Sequence, residues 1–264
     1  MNPDEGPSTG SRYRGKQVND NVASAPTLAV SASESGCHRL AQAMRLPDPA
    51  PGSSPGQALR VRRILPGQPL GDVQRLRREV YFHEQGQQRE DQRRIVDGLD
   101  GSGTVIVVES GAQAVGTLRL HDFDAPTVQV EYGRLFQVDD FARAWPLSQI
   151  AVGTQLAVQS EQRTKGVIDP LIEETYRYAL ERGIRFGLAA CAPSLHGLFE
   201  YYGFREYLPP AILPNGDAVL RMLLVLEDAA HLRECDSPLQ HLVRDPSAAE
   251  APLAWMRRTF KLTH

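Results

Sequence analysis

Cysteine is scarce in this chain. Cys37, Cys191 and Cys235 are the three among 264 residues. They are odd in number, far apart and form no C-x-x-C pair, which excludes a disulfide framework and a thiolate zinc site. No metal site is expected. Long apolar runs are also missing, so no segment can span a bilayer as a helix. Met1 to Gly10 carries two acids and no apolar stretch of the kind a secretory signal needs, and a cytoplasmic setting is the expectation. Nor is there an excess of positive charge. A net charge of -3 argues against a dedicated nucleic-acid binder, so any anion site must be local.

What is present is a core. Hydrophobic residues make up 41% of the chain, but they are unevenly spread. Residues 1–57 are rich in Ser, Pro, Gly, Ala and Asn and close on the run "PDPAPGSSPGQ". That composition buries too little apolar surface to offset the entropy of ordering, and predicts a disordered arm. A domain over 58–228 follows, then a tail over 229–264 with helix-like pieces and no core of its own. No internal repeat is evident.

Within 58–228 the periodicities can be read in turn. "LRVRRIL" alternates as a first strand. Asp72 caps a helix with Val73, Leu76, Val80 and Tyr81 at helical spacing, stopping near Gly86. "TVIVVES", "GAQ" and "AVGTLRLH" form strand, tight turn and strand. Further strands are expected over Thr127 to Tyr132 and Ile150 to Val158. Val167 to Arg182 carries one broad apolar stripe and ends at Gly183, a helix with its stop signal. "IRFGLAAC" reads as a buried strand, Pro193 to Tyr202 as a short helix, and Phe204 to Tyr207 and Ala218 to Leu226 as the last strands. The Leu208 to Gly216 stretch between them, with three prolines, reads as a loop. This order predicts a mixed, mostly antiparallel α/β sheet with flanking helices and one strand-helix-strand crossover.

The crossover, "LAVQSEQRTKGVI", places Arg163, Thr164, Lys165 and Gly166 at a helix start. A helix N-terminus presents unpaired N–H groups and about half a positive charge, which suits phosphate. With one glycine and no G-K-[ST], the pattern is weaker than a Walker A loop, and an ordinary polar loop is the competing reading.

At this point the sequence resembles the GNAT acyltransferase superfamily. "LAVQSEQRTKGVI" is similar to its pyrophosphate-binding strand and helix start, and "PSLHGLFEYYGFREY" to its closing element, over about Leu59 to Glu227. Two further stretches resemble subgroups with that fold. "LRREVYFHEQG" and "DGLDGSGTVIVV", with the arginine of "GTLRLHDFD", are similar to acyl-homoserine-lactone synthases. "EYGRLFQVDDFARAWPLSQIAV" and "YYGFREY" look more like N-acyl amino acid synthases dependent on acyl carrier protein.

The resemblance implies an N-acyltransferase moving a medium or long acyl chain from an acyl thioester, on acyl carrier protein or CoA, to a primary amine such as an amino acid. The thioester is a co-substrate; no bound cofactor is expected. A GNAT enzyme moving short acyl groups from CoA, or a catalytically silent thioester- or carrier-binding module, are the alternatives. The donor would lie on Leu156, Ala157, Val158, Arg163, Thr164, Lys165 and Gly166. Arg77, Asp97, Asp100, Arg119 and Arg134 would position substrate.

Glu131 is the candidate base on the amine. Glu131 and Arg134 meet the lactone-synthase pattern E-x-x-R, but one strand early. The comparable site before the crossover is Gln155, which favours N-acylation in general over lactone formation. His121, His196 and Cys191 read as structural. Two departures matter. Phe199 stands where many GNAT enzymes carry a tyrosine acid, and Ile168 where they carry a small residue. A branched side chain there would crowd a CoA pyrophosphate, which points to acyl carrier protein as donor. The arginines between Arg60 and Arg94 would form the basic patch that receives it.

Overall fold

The computed structural model describes residues 58–84, 98–213 and 216–260. The arm over 1–57, the expected site residue Asp97, and Arg89, Arg93 and Arg94 of the basic stretch lie outside the described residues.

Seven strands make one sheet in the order β1-β2-β3-β4-β5-β7-β6. They are β1 Leu59–Ile64, β2 Thr104–Ser110, β3 Gln113–Asp122, β4 Ile150–Val158, β5 Phe186–Cys191, β6 Arg205–Ile212 and β7 Ala218–Val225. β4 and β5 run parallel, and every other neighbouring pair is antiparallel. The helices are α1 Gly71–Arg78, α2 Pro126–Phe136, α3 Val138–Ala142, α4 Lys165–Glu181, α5 His196–Tyr201, α6 Ala229–Glu234 and α7 Glu250–Phe260. α1 continues as a π-helical segment, Glu79–Glu84. The architecture is the mixed, mostly antiparallel α/β sheet the sequence predicts, with β4-α4-β5 as its crossover.

Alternation along the strands sends side chains to two faces. On one face, Ile106, Leu118, Leu120 and Leu156 pack under Val167, Leu171 and Tyr176 of α4. The opposite face has two apolar clusters. α1 covers Val105 and Val107 with Val73, Leu76 and Val80. α2, α3 and α7 cover Phe186, Leu223 and Val225 with Tyr132, Phe136, Phe141 and Met256.

Two expectations need correction. Thr127 to Tyr132 is part of α2, not a strand: Pro126 occupies its first turn, and Val128, Tyr132 and Phe136 bury one helical face. β6 continues through Pro209 and Pro210; it is an edge strand, where a missing N–H breaks no ladder. The tail packs on the core of the sheet, with Leu232 and Leu239 fully buried in the α4-side cluster. Among the described residues no helix is long and apolar enough to cross a membrane.

Candidate active site

β4 is irregular at its centre. Thr117 of β3 pairs with Ala157, but Arg119 pairs with Thr154, so two residues of β4 oppose Leu118 alone. The bulge is at Gln155, which is buried and has φ of 55°. A non-glycine residue in the left-handed region is strained, and such strain collects at functional sites. The bulge bends β4 away from β5. Their parallel register covers Ile150↔Phe186 to Val152↔Leu188 and stops there, although β4 runs on to Val158. The two strands therefore part, and Leu156, Ala157 and Val158 have no β5 partner on that edge. Tyr81 holds the bulge from the α1 side, its hydroxyl donating to the Leu156 carbonyl at 3.3 Å.

On the face away from α4 the bulge is flanked by buried charge. Arg77 Nη1 donates to both Asp100 oxygens, at 2.8 and 3.0 Å, and Arg119 Nη1 to Oδ1 at 2.7 Å. Arg119 Nε donates to Thr154 Oγ1 at 3.1 Å. Both arginines are 0% exposed. Burying such charge is costly unless it is paired and hydrogen-bonded, and Asp100 receives a guanidinium from each side.

Arg221 was not anticipated by the sequence reading. It is 9% exposed and donates to the Pro209 carbonyl through Nε (2.9 Å) and Nη2 (2.6 Å) and to the Leu135 carbonyl through Nη1 (3.1 Å). These partners are dipoles, not counter-ions, and burial lowers its pKa. Arg221 pairs with Ala190, two residues past the last β4–β5 partners on the same sheet face as Thr154. Arg119 and Arg221 thus flank the opening on one face. The signal was there to be read: a lone charge inside the apolar strand "AVLRMLLV".

Glu131 and Arg134 both lie on α2. Glu131 is half-buried, one helical turn before Leu135, whose carbonyl accepts from Arg221. Arg134 is exposed in a surface groove with Gln129, Asp139 and Arg143, and so is not part of the buried arginine–carboxylate cluster.

The helix start has the expected place, after the end of β4. Thr164 is the N-cap residue of α4, extended and without a side-chain cap bond, and Arg163 Nε donates back to the Val158 carbonyl at 3.1 Å. Ile168 does not face this helix end. It is 6% exposed and belongs to the apolar cluster, so it leaves the backbone at 164–166 clear. The steric ground for excluding a pyrophosphate falls away. Among the described arginines of the basic stretch, four are paired with carboxylates. Arg62 pairs with Glu109, Arg75 with Asp72 and Arg77 with Asp100. Arg63 pairs with Glu174 and Glu181 and stacks over Tyr178.

Beneath α4, on the other face, is an apolar cavity lined by Leu118, Leu156, Ile168, Ile172, Phe199 and Tyr202 among others. Its polar groups are already bonded: Thr175 Oγ1 donates to the Leu171 carbonyl, Tyr176 Oη accepts from the Glu227 N–H, and Tyr202 Oη donates to Asp169 at 2.7 Å. Burial and the Asp169 charge push the Tyr202 phenol far above its ordinary pKa. Phe199 is a wall residue stacked edge-on against Phe204. Cys191 is buried and its thiol is pushed up to about 12, so it is no thiolate nucleophile. His121 is buried. His196 bridges Glu200 and Glu206 at the surface.

A family profile described as "FeeM: N-acyl amino acid synthase FeeM" matches residues 72–224. A search of curated proteins finds no match. Among solved structures, FeeM, an N-acyl amino acid synthase from uncultured soil microbes, is 15% identical with a TM-score of 0.53, covering 71% of this chain and 99% of its own. BjaI, a CoA-dependent acyl-homoserine lactone synthase solved with SAM and isopentyl-CoA, is 19% identical with a TM-score of 0.53, covering 74% and 100%. TofI, in a ternary complex with an inhibitor and MTA, is 19% identical with a TM-score of 0.52, covering 72% and 99%. At these identities the solved structures speak to the fold.

Proposed function

Because this chain belongs to the FeeM family of N-acyl amino acid synthases, and is thus an acyltransferase, we propose that it moves a medium or long acyl chain from a phosphopantetheine thioester to the amino group of an amino acid. The observation that carries this reading is the parting of β4 from β5, with an apolar cavity on one face and buried arginines on the other. A hydrocarbon chain suits the first face and a carboxylate the second. The thioester, where they meet, is the bond to be exchanged.

In this proposal the donor phosphate rests on the N-terminus of α4, with Arg163, Thr164, Lys165 and Gly166. Main-chain N–H groups from Leu156 to Val158 polarise the thioester carbonyl, the role of an oxyanion hole. Arg221 receives the acceptor carboxylate by a charge-assisted hydrogen bond. Arg77, Asp100 and Arg119 hold β3, β4 and α1 in register around it. Glu131 takes the proton from the amine. The amine attacks the carbonyl carbon, the C–S bond breaks, and the thiolate leaves without an acid at position 199. Acyl carrier protein and acyl-CoA present the same phosphopantetheine arm, and nothing at Ile168 favours one over the other.

The test is turnover by the full chain. Acyl thioesters from four to sixteen carbons, on carrier protein and on CoA, would be offered with a mixture of amino acids. Thiol release and mass spectrometry of N-acyl products are read together. N-acyl amino acids from the longer donors support the proposal, and the two donor arms rank the carriers. Product from short acyl-CoA alone would replace it with the short-acyl reading. Donor binding without thiol release would make the chain a silent binding module.

A further inference from the structure

The floor of the apolar cavity has almost no side chains. On the sheet face turned to α4, register places Ala151 beside Gly187, and the next position on that face of each strand is Gly153 and Ala189. All four line the cavity. A sheet packed against a helix normally carries large side chains there, as Leu118, Leu120 and Leu224 do on the flanking strands.

The two glycines have no backbone reason to be glycine. Neither has a left-handed φ. A Cβ on Gly153 would meet only Leu118 Cδ2 and the Leu188 carbonyl, both at 4.0 Å, and one on Gly187 would meet Leu224 Cβ at 3.7 Å, an ordinary contact. Glycine inside a strand costs stability, and it often marks the close approach of a ligand. Burial agrees. Gly153 is the one residue of β4 not classed as buried, and Gly187 the one residue of β5. Solvent-sized probes therefore reach both strands at their glycines.

We infer that Gly153, with Gly187, sets the length of acyl chain this enzyme accepts, by leaving open the floor on which the distal methylenes lie. The inference rests on the acyl-transfer reading above and adds the residue that decides chain length. The free space is about 70 Å³, room for only the last few carbons of a chain. The three carbons of a valine at position 153 would take up most of it. A chain that reaches past β4 then loses its place, whereas a shorter chain ends before the obstruction.

The experiment compares Gly153→Ala and Gly153→Val with the wild-type full chain. It reads the ratio of kcat/KM for a twelve-carbon donor to that for a six-carbon donor, the melting temperature, and binding of decanoate by calorimetry. Gly153→Val should lower the ratio by roughly tenfold or more, the loss of about two buried methylenes. Gly153→Ala should lower it less, and decanoate binding should weaken in the same order. If the cavity is only a packing void, filling it raises the melting temperature and leaves both ratio and decanoate binding unchanged, which overturns the inference. Absence of any N-acyl product from the wild type would defeat the proposed function instead. Even then, decanoate binding and its loss in Gly153→Val would uphold or overturn the cavity's role. Should the valine variant not fold, the alanine variant carries the comparison.

Discussion

Asp100 is the counter-charge for two arginines that water does not reach, both held at 2.8 Å or less. Removing that charge without changing its shape isolates its contribution. Asp100→Asn should destabilise the fold by about 1.5–3 kcal/mol, the usual worth of a hydrogen bond to a charged group, seen as a lower urea midpoint with unchanged slope. A loss below about 1 kcal/mol, the value of an exposed pair, would show that the cluster is hydrated. Arg221 makes a different prediction, because its hydrogen bonds go to carbonyls and the proposed function gives its charge to the acceptor carboxylate. Arg221→Gln should raise KM for the amino acid about tenfold or more, with KM for the donor little changed, since a hydrogen bond to a charged group contributes about 1.5–3 kcal/mol. Amino-acid amides, lacking the carboxylate, should not distinguish wild type from variant. If they do, Arg221 acts only by holding α2 and β6. The Arg77–Asp100 pairing was open to sequence reading, because the helical face and the turn spacing bring those two types together. Thr154 was not, since the partner of Arg119 depends on a bulge that no composition announces.

At the scale of elements, long periodic segments were legible and short ambiguous ones were not. β2, β3, α4 and β5 follow their apolar periods closely. Val128, Val130 and Tyr132 alternate as a strand would, yet Val130 is 87% exposed and Val128, Tyr132 and Phe136 face inward. The spacing of four extends the pattern to Phe136, and Pro126 at the start is better placed in a helix than in a strand. The opening of α4 was legible in "EQRTKG" because its chemistry is local: unpaired N–H groups, a glycine and two cations. The prediction there is that Arg163→Ala with Lys165→Ala raises the donor Kd by about tenfold or more through lost charge-assisted phosphate contacts. The change in stability should be small, about 1 kcal/mol for the hydrogen bond from Arg163 to the Val158 carbonyl. Titrating the variant with acyl-CoA checks the first part and thermal melting the second. An unchanged donor affinity would leave that loop as a plain connection.

For the whole molecule, the question is which residues the fold needs beyond the sheet. The arm over 1–57 is predicted to be dispensable because its composition offers no core. A chain beginning at Gly56 should melt within about 2 °C of the full one, a shift smaller than 1 kcal/mol produces in a domain of this size. The segment after Asp228 reads as a helical tail with no core of its own, and its sequence does not announce where it packs. Its apolar residues make no core among themselves, and Leu232, Leu239, Ala249 and Met256 are buried in the clusters on the two faces of the sheet instead. Leu232 and Leu239 close the α4-side core, while Met256 and Ala249 close the opposite one. Trp255 stacks on Phe141 and Phe186 at centroid distances of 4.9 and 5.3 Å. Full burial of a large apolar side chain contributes about 1.5–3 kcal/mol, so Leu232, Leu239 and Met256 together contribute roughly 5–9 kcal/mol. That is comparable with the entire stability of a typical domain, about 5–15 kcal/mol. A chain ending at Asp228 should therefore lose its cooperative melting transition, and the point variant Leu239→Ala should cost about 2–5 kcal/mol. Calorimetry of the two shortened chains side by side decides the matter: the prediction fails if the chain cut at Asp228 melts as sharply and as high as the one that begins at Gly56.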